Sequence, residues 1–211
     1  MGNLLSDWTV SWVDGESHLS NMMRLQSGKY IDLNTFTEDD ITFDDILIPL
    51  SRITRFNGHG PIDPLSVIQH AMLTQSIAKF HGASAEVQLA CLIHDNHEAI
   101  IGDTTSPNKI LLCVEEPERI TEEVRMKFGA EYIHYDDWFE VKQYDNMALN
   151  LERRVMWDDW SENDCTYWPS EEVAADKETC IAEFHYWKGH NTGEYRSIHG
   201  ELIRRLNGQA Q

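Results

Sequence analysis

Two histidines and two aspartates of this chain occur in apolar surroundings, where an ionisable side chain is costly to bury. His94 and Asp95 are adjacent between two apolar segments, and His70 and Asp145 each lie in an apolar stretch with helical periodicity. Burial of such groups costs free energy unless a partner compensates their charge. A single buried histidine is more often satisfied by the protein core than by a metal. All four together are a ligand set that a divalent cation accepts, so we predict a metal site.

A third acidic residue follows this pair closely. Glu98 lies four residues after His94 and three after Asp95. On a continuous helix, these spacings place the three side chains on neighbouring faces. Four protein ligands on an octahedral ion leave two positions for water and for a substrate oxygen, which is the arrangement that metal-assisted hydrolysis requires.

The elements that must position these side chains are predicted to be helices. The helix that carries His70 is expected to begin at Asp63-Pro64, a capping residue followed by proline. The last helix is expected to end at Asn207-Gly208. Helical periodicity also predicts a bent or shortened helix at Ile46–Ile53, which contains Pro49. The remaining predictions are helices over about 63–80, 84–102, 107–128 (interrupted by proline), 137–157, 171–188 and 194–206.

The beginning of the chain predicts a small β element. Arg24-Leu25-Gln26 and Tyr30-Ile31-Asp32-Leu33 flank a Ser27-Gly28 turn, which is typical of a hairpin. The predicted fold class is therefore all-α, with about seven helices and a small N-terminal β-hairpin. A length of 211 residues favours one domain. We expect an N-terminal extension with the hairpin at 1–35, a functional core at 36–160, and C-terminal helices at 161–211 packed on the same domain.

Charge and composition exclude several classes of partner. Lys and Arg total 17 and Asp and Glu total 36, so the formal net charge is −19, which argues against binding a nucleic acid polymer. No apolar run approaches the roughly 18 residues that a membrane helix needs. The N-terminus has no basic stretch followed by an apolar one, and Cys91, Cys113, Cys165 and Cys180 show no paired spacing. We therefore expect a cytoplasmic protein with reduced thiols.

The order of the four proposed ligands resembles the H…HD…D signature of the HD-domain metal-dependent phosphohydrolase superfamily. Other segments resemble a phage and prophage branch of that superfamily, related to bacterial 5′-deoxynucleotidases and phage dATP triphosphohydrolases. The resemblance covers roughly residues 24–157. It rests on Leu25-x-Ser27-Gly28-Lys29-x-Ile31-Asp32-Leu33, Asp44-Asp45-Ile46, Leu50-Ser51-Arg52-Ile53, Arg55-Phe56-Asn57-Gly58-His59, Ser66-Val67-Ile68-Gln69-His70, Ile93-His94-Asp95-Asn96-His97-Glu98-Ala99, Gly102-Asp103-x-x-x-Pro107-x-Lys109 and Val141-Lys142-x-x-Asp145-x-x-x-Leu149-x-x-Glu152.

The resemblance implies catalytic roles for two carboxyl groups. The two histidines and two aspartates named above would bind the metal. Glu98 would orient or deprotonate the attacking water, and Asp103 would assist the proton transfers around the leaving oxygen. His97 has no such role and is expected to be an exposed structural residue.

The resemblance also implies substrate contacts. Arg55 would grip the phosphate, and Phe56 would pack against the sugar and disfavour a 2′-hydroxyl. Lys109 and His59 would be further phosphate contacts. Two of these residues have structural alternatives, since Arg55 can cap the preceding helix and Phe56 can belong to the core. The chain departs from the branch at Leu65 and at 104–106, so substrate choice does not transfer from it.

The implied activity is hydrolysis of the 5′-phosphoester of a 2′-deoxynucleotide with a divalent ion, which can be Mn, Co, Mg, Zn or Fe. The substrate is either a monophosphate, releasing phosphate, or a triphosphate such as dATP, releasing triphosphate. The implied setting is nucleotide-pool control by a phage or prophage, and a homo-oligomer is expected. The alternatives are a cyclic-nucleotide or second-messenger phosphodiesterase and a non-catalytic nucleotide-sensing module. Glu98 and Asp103 argue against the sensing module, because a site without turnover does not need them.

Overall fold

The computed structural model describes residues 12–13, 16–17, 21–112, 117–158 and 177–209. This part of the chain is an all-α fold with a small antiparallel hairpin near its beginning, as the sequence predicts. The strands are β1 (Trp12–Val13), β2 (Glu16–Ser17), β3 (Met22–Arg24) and β4 (Tyr30–Asp32). The helices are α1 (Phe43–Leu50), α2 (Val67–Phe80), α3 (Ala85–Ile93), α4 (Glu98–Ile101), α5 (Ser106–Leu112), α6 (Glu118–Lys127), α7 (Asp137–Trp157), α8 (Lys177–Lys188) and α9 (Thr192–Gln209), with 3-10 turns at Glu38–Asp40, Arg55–Gly58 and Ala130–Tyr132.

The predicted hairpin is formed by β3 and β4. Met22 pairs with Asp32, and Gly28 adopts φ +89° in the turn between the strands, a conformation that glycine takes without steric cost. The backbone N–H of Ser27 donates to a carboxylate oxygen of Asp45 at 2.6 Å, which joins the turn to α1. The preceding pair, β1 with β2, was not predicted.

The centre of the fold is formed by α2, α3 and α7, which pack against one another. The predicted helix at 137–157 is confirmed to the residue as α7. α8 packs on α2 and α7, and α9 packs on α3, with Phe184, Tyr195 and Leu202 buried in the shared core. The division of the chain into an extension, a core and a tail stays a prediction.

The predicted start of α2 is wrong by three residues. The helix begins after Ser66, which forms a capping box with Gln69, and not at Asp63-Pro64. Leu65 lies outside the helix because its carbonyl accepts a hydrogen bond from the backbone N–H of Arg55 at 2.9 Å. This pairing brings the Arg55 segment against the start of the helix that carries His70.

The helix predicted from Ser84 to Gly102 is interrupted in the structure. α3 ends at Ile93, a tight turn covers 94–97, and α4 begins at Glu98. Within this turn the backbone N–H groups of Asn96 and Glu98 bond three residues back rather than four. His94, Asp95 and Glu98 therefore do not lie on neighbouring faces of one helix. The turn, rather than a helix face, positions the two proposed ligands His94 and Asp95.

The remaining helix predictions differ from the structure in their ends. The region 107–128 forms α5 and α6, with 113–116 outside the described residues. α9 continues through the predicted stop at Asn207-Gly208. The prediction of about seven helices falls short because the 84–102 and 107–128 regions each form two. Cys91 is a buried free thiol, while the other three cysteines lie outside the described side chains.

No helix in the described ranges combines the length and the apolar character that crossing a bilayer requires.

The turn at 94–97 is tied to α9 by one buried tyrosine. The side-chain amide of Asn96 donates to the Tyr195 hydroxyl at 2.8 Å, and that hydroxyl lies 3.2 Å from the Leu92 carbonyl oxygen. Tyr195 and Asn96 are fully buried. Arg125 donates to the His94 carbonyl at 2.7 Å from the other side. Elements far away in sequence therefore fix the backbone of the turn.

We expect Tyr195→Phe to lower the free energy of unfolding by about 1–3 kcal/mol, because it leaves the buried Asn96 amide without its acceptor. Urea denaturation measures this change. Tyr186→Phe is the matched control, since Tyr186 is exposed and its hydroxyl can bond to water. Equal unfolding free energies for the two variants would show that the Tyr195 hydroxyl does not stabilise the turn.

Candidate metal centre

Three of the proposed ligands converge in the structure. One ligand atom from each of His70, His94 and Asp145 lies within 4.8 Å of the others. Nε2 of His70 is 3.1 Å and Nε2 of His94 is 3.8 Å from Oδ1 of Asp145. Two ligand atoms at right angles around one ion are about 3 Å apart when each is about 2.1 Å from it. These three residues can therefore hold a metal ion.

The fourth proposed ligand lies beside this group. Oδ2 of Asp95 is 3.1 Å from Nε2 of His94 and 3.7 Å from Nε2 of His70. The His94 nitrogen is buried, and among the described residues it makes no aligned hydrogen bond, not even with Asp95. Two ligand atoms that approach without bonding to each other are expected where both face one cation.

His94 is held in the tautomer that metal binding requires. Its Nδ1 donates to the Cys91 carbonyl oxygen at 2.7 Å, within the same turn of chain. A proton on Nδ1 leaves the lone pair of Nε2 facing Asp95 and Asp145.

His70 is oriented by a carboxylate that the sequence prediction did not assign a role. Nδ1 of His70 donates to Oε1 of Glu152 at 2.7 Å, and both side chains are fully buried. The other carboxylate oxygen, Oε2, accepts from Nε of Arg55 at 3.3 Å. Glu152 thus joins a proposed metal ligand to a proposed phosphate contact. Asp145 and Glu152 are seven residues apart, about two turns of α7, so the spacing alone could have placed them on one face.

The electrostatics of the cluster favour a positive charge between the ligand atoms. Burial by itself lowers the pKa of His94, but the carboxylates of Asp95 and Asp145 raise it to about 10. The pKa of His70 is also raised, because Glu152 and Asp145 outweigh its burial and the repulsion from Arg55. Imidazoles that bind a proton this strongly lie in a negative electrostatic potential, and the same potential favours binding of a divalent cation.

Two further carboxyl groups lie close to the ligands. Glu98 is buried, and its Oε2 makes no hydrogen bond to the described residues. Burial and the negative charges of Asp95 and Asp103 raise the pKa of Glu98 to about 9. Burial also raises the pKa of Asp103, although Arg55 opposes the shift. Both groups therefore keep a proton to higher pH than ordinary carboxyl groups do.

Arg55 lies at the centre of these acids. Its Nη1 is 3.9 Å from Oδ2 of Asp95 and 4.0 Å from Oδ2 of Asp103. Burial disfavours its charge, but Glu152 and the nearby aspartates outweigh burial and raise its pKa. Arg55 does not act as a simple helix cap, since its guanidinium faces the cluster.

The other proposed substrate contacts are placed less uniformly. Phe56 is half-buried, and its ring centroid lies 5.8 Å from the Arg55 guanidinium carbon. Lys109, on α5, is half-buried and close enough to lower the pKa of Asp103 electrostatically. His59 is exposed, and no contact described for its side chain joins it to the ligand cluster. The structure thus brings Arg55, Phe56 and Lys109 towards the cluster, but not His59.

Two residues near the site differ from expectation. His97 was expected to be exposed, but it is buried, because the turn that interrupts the predicted helix directs it inward. Lys142 was not assigned a role, and its Nζ contacts Oδ2 of Asp145 at 2.7 Å from the solvent side. The spacing of three residues on a helix was the available signal for this pair.

We expect Glu152→Gln to weaken Mn²⁺ binding by about 10–100-fold, as is typical when the carboxylate behind a histidine ligand is changed. Glutamine lacks the negative charge and cannot accept hydrogen bonds from both His70 and Arg55 with the same two atoms. Isothermal titration calorimetry of the metal-stripped protein measures the affinity. Glu140→Gln is the matched control, an exposed glutamate on the same helix. If both variants bind Mn²⁺ like the unaltered protein, Glu152 does not position the metal ligand.

Comparison with known proteins identifies relatives that are described as uncharacterized. The chain matches no protein-family model. It is 34% identical over 112 residues to an uncharacterized protein of Rhodobacter capsulatus, a match that covers 50% of this chain and only 57% of that protein. It is 33% identical over 145 residues to the uncharacterized protein YfdR of Escherichia coli, covering 68% of this chain and 74% of YfdR. On this identity and coverage, the chain belongs to the same family as YfdR.

Proposed function

We propose that this protein is a divalent-metal-dependent phosphohydrolase of the HD-domain superfamily that hydrolyses the 5′-phosphoester of 2′-deoxynucleotides. The observation that carries the proposal is the convergence of His70, His94 and Asp145 beside a buried arginine. Metal ligands next to a fixed guanidinium suit an anion that must be both bound and polarised. The sequence resemblance supplies the chemical class of that anion.

The cation would be held by His70, His94 and Asp145, with Asp95 as the fourth ligand. A divalent ion there supplies Lewis-acid chemistry, lowering the pKa of water and drawing electron density from a phosphoryl group. Its charge would also offset the carboxylates that are gathered in the cluster.

The remaining side chains would bind the substrate and move protons. Arg55 is held by Glu152 and the nearby aspartates, so its Nη atoms donate to the phosphoryl oxygens without a search of rotamers. Glu98 would accept a proton from the attacking water, because a bound cation would offset the negative charges of Asp95 and Asp103 that raise its pKa. Asp103, whose Oδ2 lies 4.0 Å from Nη1 of Arg55, would deliver a proton to the leaving 5′-oxygen of the deoxynucleoside.

The same bond is broken whether the substrate is a monophosphate or a triphosphate. The scarcity of basic residues, with 17 against 36 acidic ones, favours the smaller anion. The resemblance to phage enzymes favours dATP. Analysis of the reaction products distinguishes a monophosphate from a triphosphate substrate. It also distinguishes both from the cyclic-nucleotide alternative, which would release a nucleotide and no free nucleoside.

We expect the metal-stripped protein to regain activity on deoxynucleotides when Mn²⁺, Co²⁺ or Mg²⁺ is added, and to lose it with a chelator. A panel of deoxy- and ribonucleotides at each phosphorylation level, resolved by chromatography, shows the products. Phosphate with deoxynucleoside indicates a nucleotidase, and triphosphate with deoxynucleoside indicates a triphosphohydrolase. If the protein binds these nucleotides but releases no product with any of the three metals, the sensing alternative replaces the proposal.

We expect Glu98→Gln to reduce kcat by about 10²–10⁴-fold, the usual loss when a general acid–base group is removed. Its Mn²⁺ affinity should match that of the unaltered protein, because Glu98 is not one of the proposed ligands. Steady-state kinetics and metal titration measure the two quantities, with Glu140→Gln as the control. An unchanged kcat would assign the proton transfer to another residue, even with the ligand set correct.

A further inference from the structure

The segment that follows Arg55 has a strained backbone. Phe56 and Asn57 adopt φ of 57° and 53°, in the left-handed region that side chains other than glycine rarely occupy. Such conformations persist only where the surrounding structure enforces them. The segment is held at its start by the bond between the Arg55 N–H and the Leu65 carbonyl. The left-handed backbone at Phe56 sets the direction in which its side chain leaves the loop.

Phe56 is directed against the last residue of α7. Its ring meets Trp157 edge to face, with centroids 5.2 Å apart and an interplanar angle of 85°. The loop after Phe56 also approaches the end of α7 at Gly60, where an added Cβ atom would lie 2.5 Å from the terminal Cε of Met156. Trp157 nevertheless keeps 43% of its surface exposed. The contact therefore leaves much of the indole available to another planar group.

Arg55 connects the Phe56–Trp157 aromatic pair to the candidate metal centre. Arg55 contacts Asp95 and Asp103 with its Nη1, and its guanidinium carbon lies 5.8 Å from the centroid of the Phe56 ring. The groups therefore follow one another in a fixed order: the proposed metal ligands, the largely buried guanidinium of Arg55, the half-buried ring of Phe56 and the more exposed ring of Trp157. A 5′-deoxynucleotide has the matching order, with the anion at one end, then the sugar, then a planar base.

We propose that Trp157 is a specificity-determining residue that forms, with Phe56, the aromatic wall of a nucleoside subsite, and that the base stacks on its indole ring. This inference rests on the proposed function for the position of the phosphate. It also separates the roles of the two rings, since half-buried Phe56 faces the sugar and the more exposed Trp157 reaches the base.

A purely structural role for Trp157 leads to a different expectation. If the indole only covers the end of α7 and the 55–60 loop, its removal would lower stability and weaken every ligand of the pocket equally. If the indole stacks on the base, its removal would instead weaken binding only of ligands that carry a base. Stacking on one aromatic side chain contributes about 1–3 kcal/mol by alanine substitution, or roughly 5–150-fold in affinity.

The test compares ligands with and without a nucleoside. The probes are inorganic phosphate and the 5′-methylene phosphonate of deoxyadenosine, in which a carbon replaces the ester oxygen and prevents hydrolysis. Calorimetric titration in Mn²⁺ gives the Kd of each probe. For Trp157→Ala we expect the Kd of the phosphonate to rise at least about fivefold, while the Kd of phosphate changes by less than about twofold. Trp157→Phe should keep most of the phosphonate affinity, because a ring remains.

Phe139→Ala is the matched control, since it removes an exposed ring from the opposite end of α7. Its phosphonate affinity should equal that of the unaltered protein. The inference is overturned if Trp157→Ala binds the phosphonate normally, if it weakens both probes equally, or if the unaltered protein binds the phosphonate no better than phosphate. None of these outcomes contradicts the proposed hydrolysis. Hydrolysis is tested separately by the products formed from the panel of deoxy- and ribonucleotides, and that test does not depend on Trp157.

Discussion

The buried carboxylate of Glu152 is the contact on which the rest of the site depends. It accepts hydrogen bonds from His70 and from Arg55, and neither it nor His70 has any exposed surface. The positive charges of these two partners hold the pKa of Glu152 below its ordinary range, although burial opposes this. An ion removed from water this completely is stable only with such partners. Glu152 therefore fixes both the imidazole ring of His70, a proposed ligand, and the guanidinium group of Arg55, the proposed anion-binding group.

The second constraint is the excess of negative charge around that contact. Asp95, Asp103, Asp145 and Glu98 lie close to one another, and burial or mutual repulsion acts on each. The pKa values of Asp95 and Asp145 are lowered by the neighbouring histidines despite burial, whereas the pKa of Glu98 is raised. This separation suits the different roles proposed for these chemically similar groups, two as charged ligands and one as a proton carrier.

The scaffold meets these requirements with rigid helices and one tight turn. α2 and α7 contribute His70 and Asp145 from packed helix faces, where side-chain rotamers are restricted. The turn at 94–97 contributes the other two proposed ligands and depends on Tyr195 of α9 for its buried hydrogen bonds. The C-terminal helices, which the sequence predicts to pack on the same domain, are thus part of what positions the candidate metal centre.

The sequence by itself determined the fold class, the hairpin turn at Gly28, the full extent of α7 and the residue types of the proposed ligand set. These features depend on local periodicity, turn chemistry and composition, which a linear sequence contains. It did not determine that the helix after Ser84 breaks at His94, because the decisive bonds come from Tyr195 and Arg125, far away in the chain. It also did not reveal the role of Glu152, the burial of His97 or the contact between Phe56 and Trp157. Only the tertiary structure decided these, since each depends on which distant side chain occupies the neighbouring space.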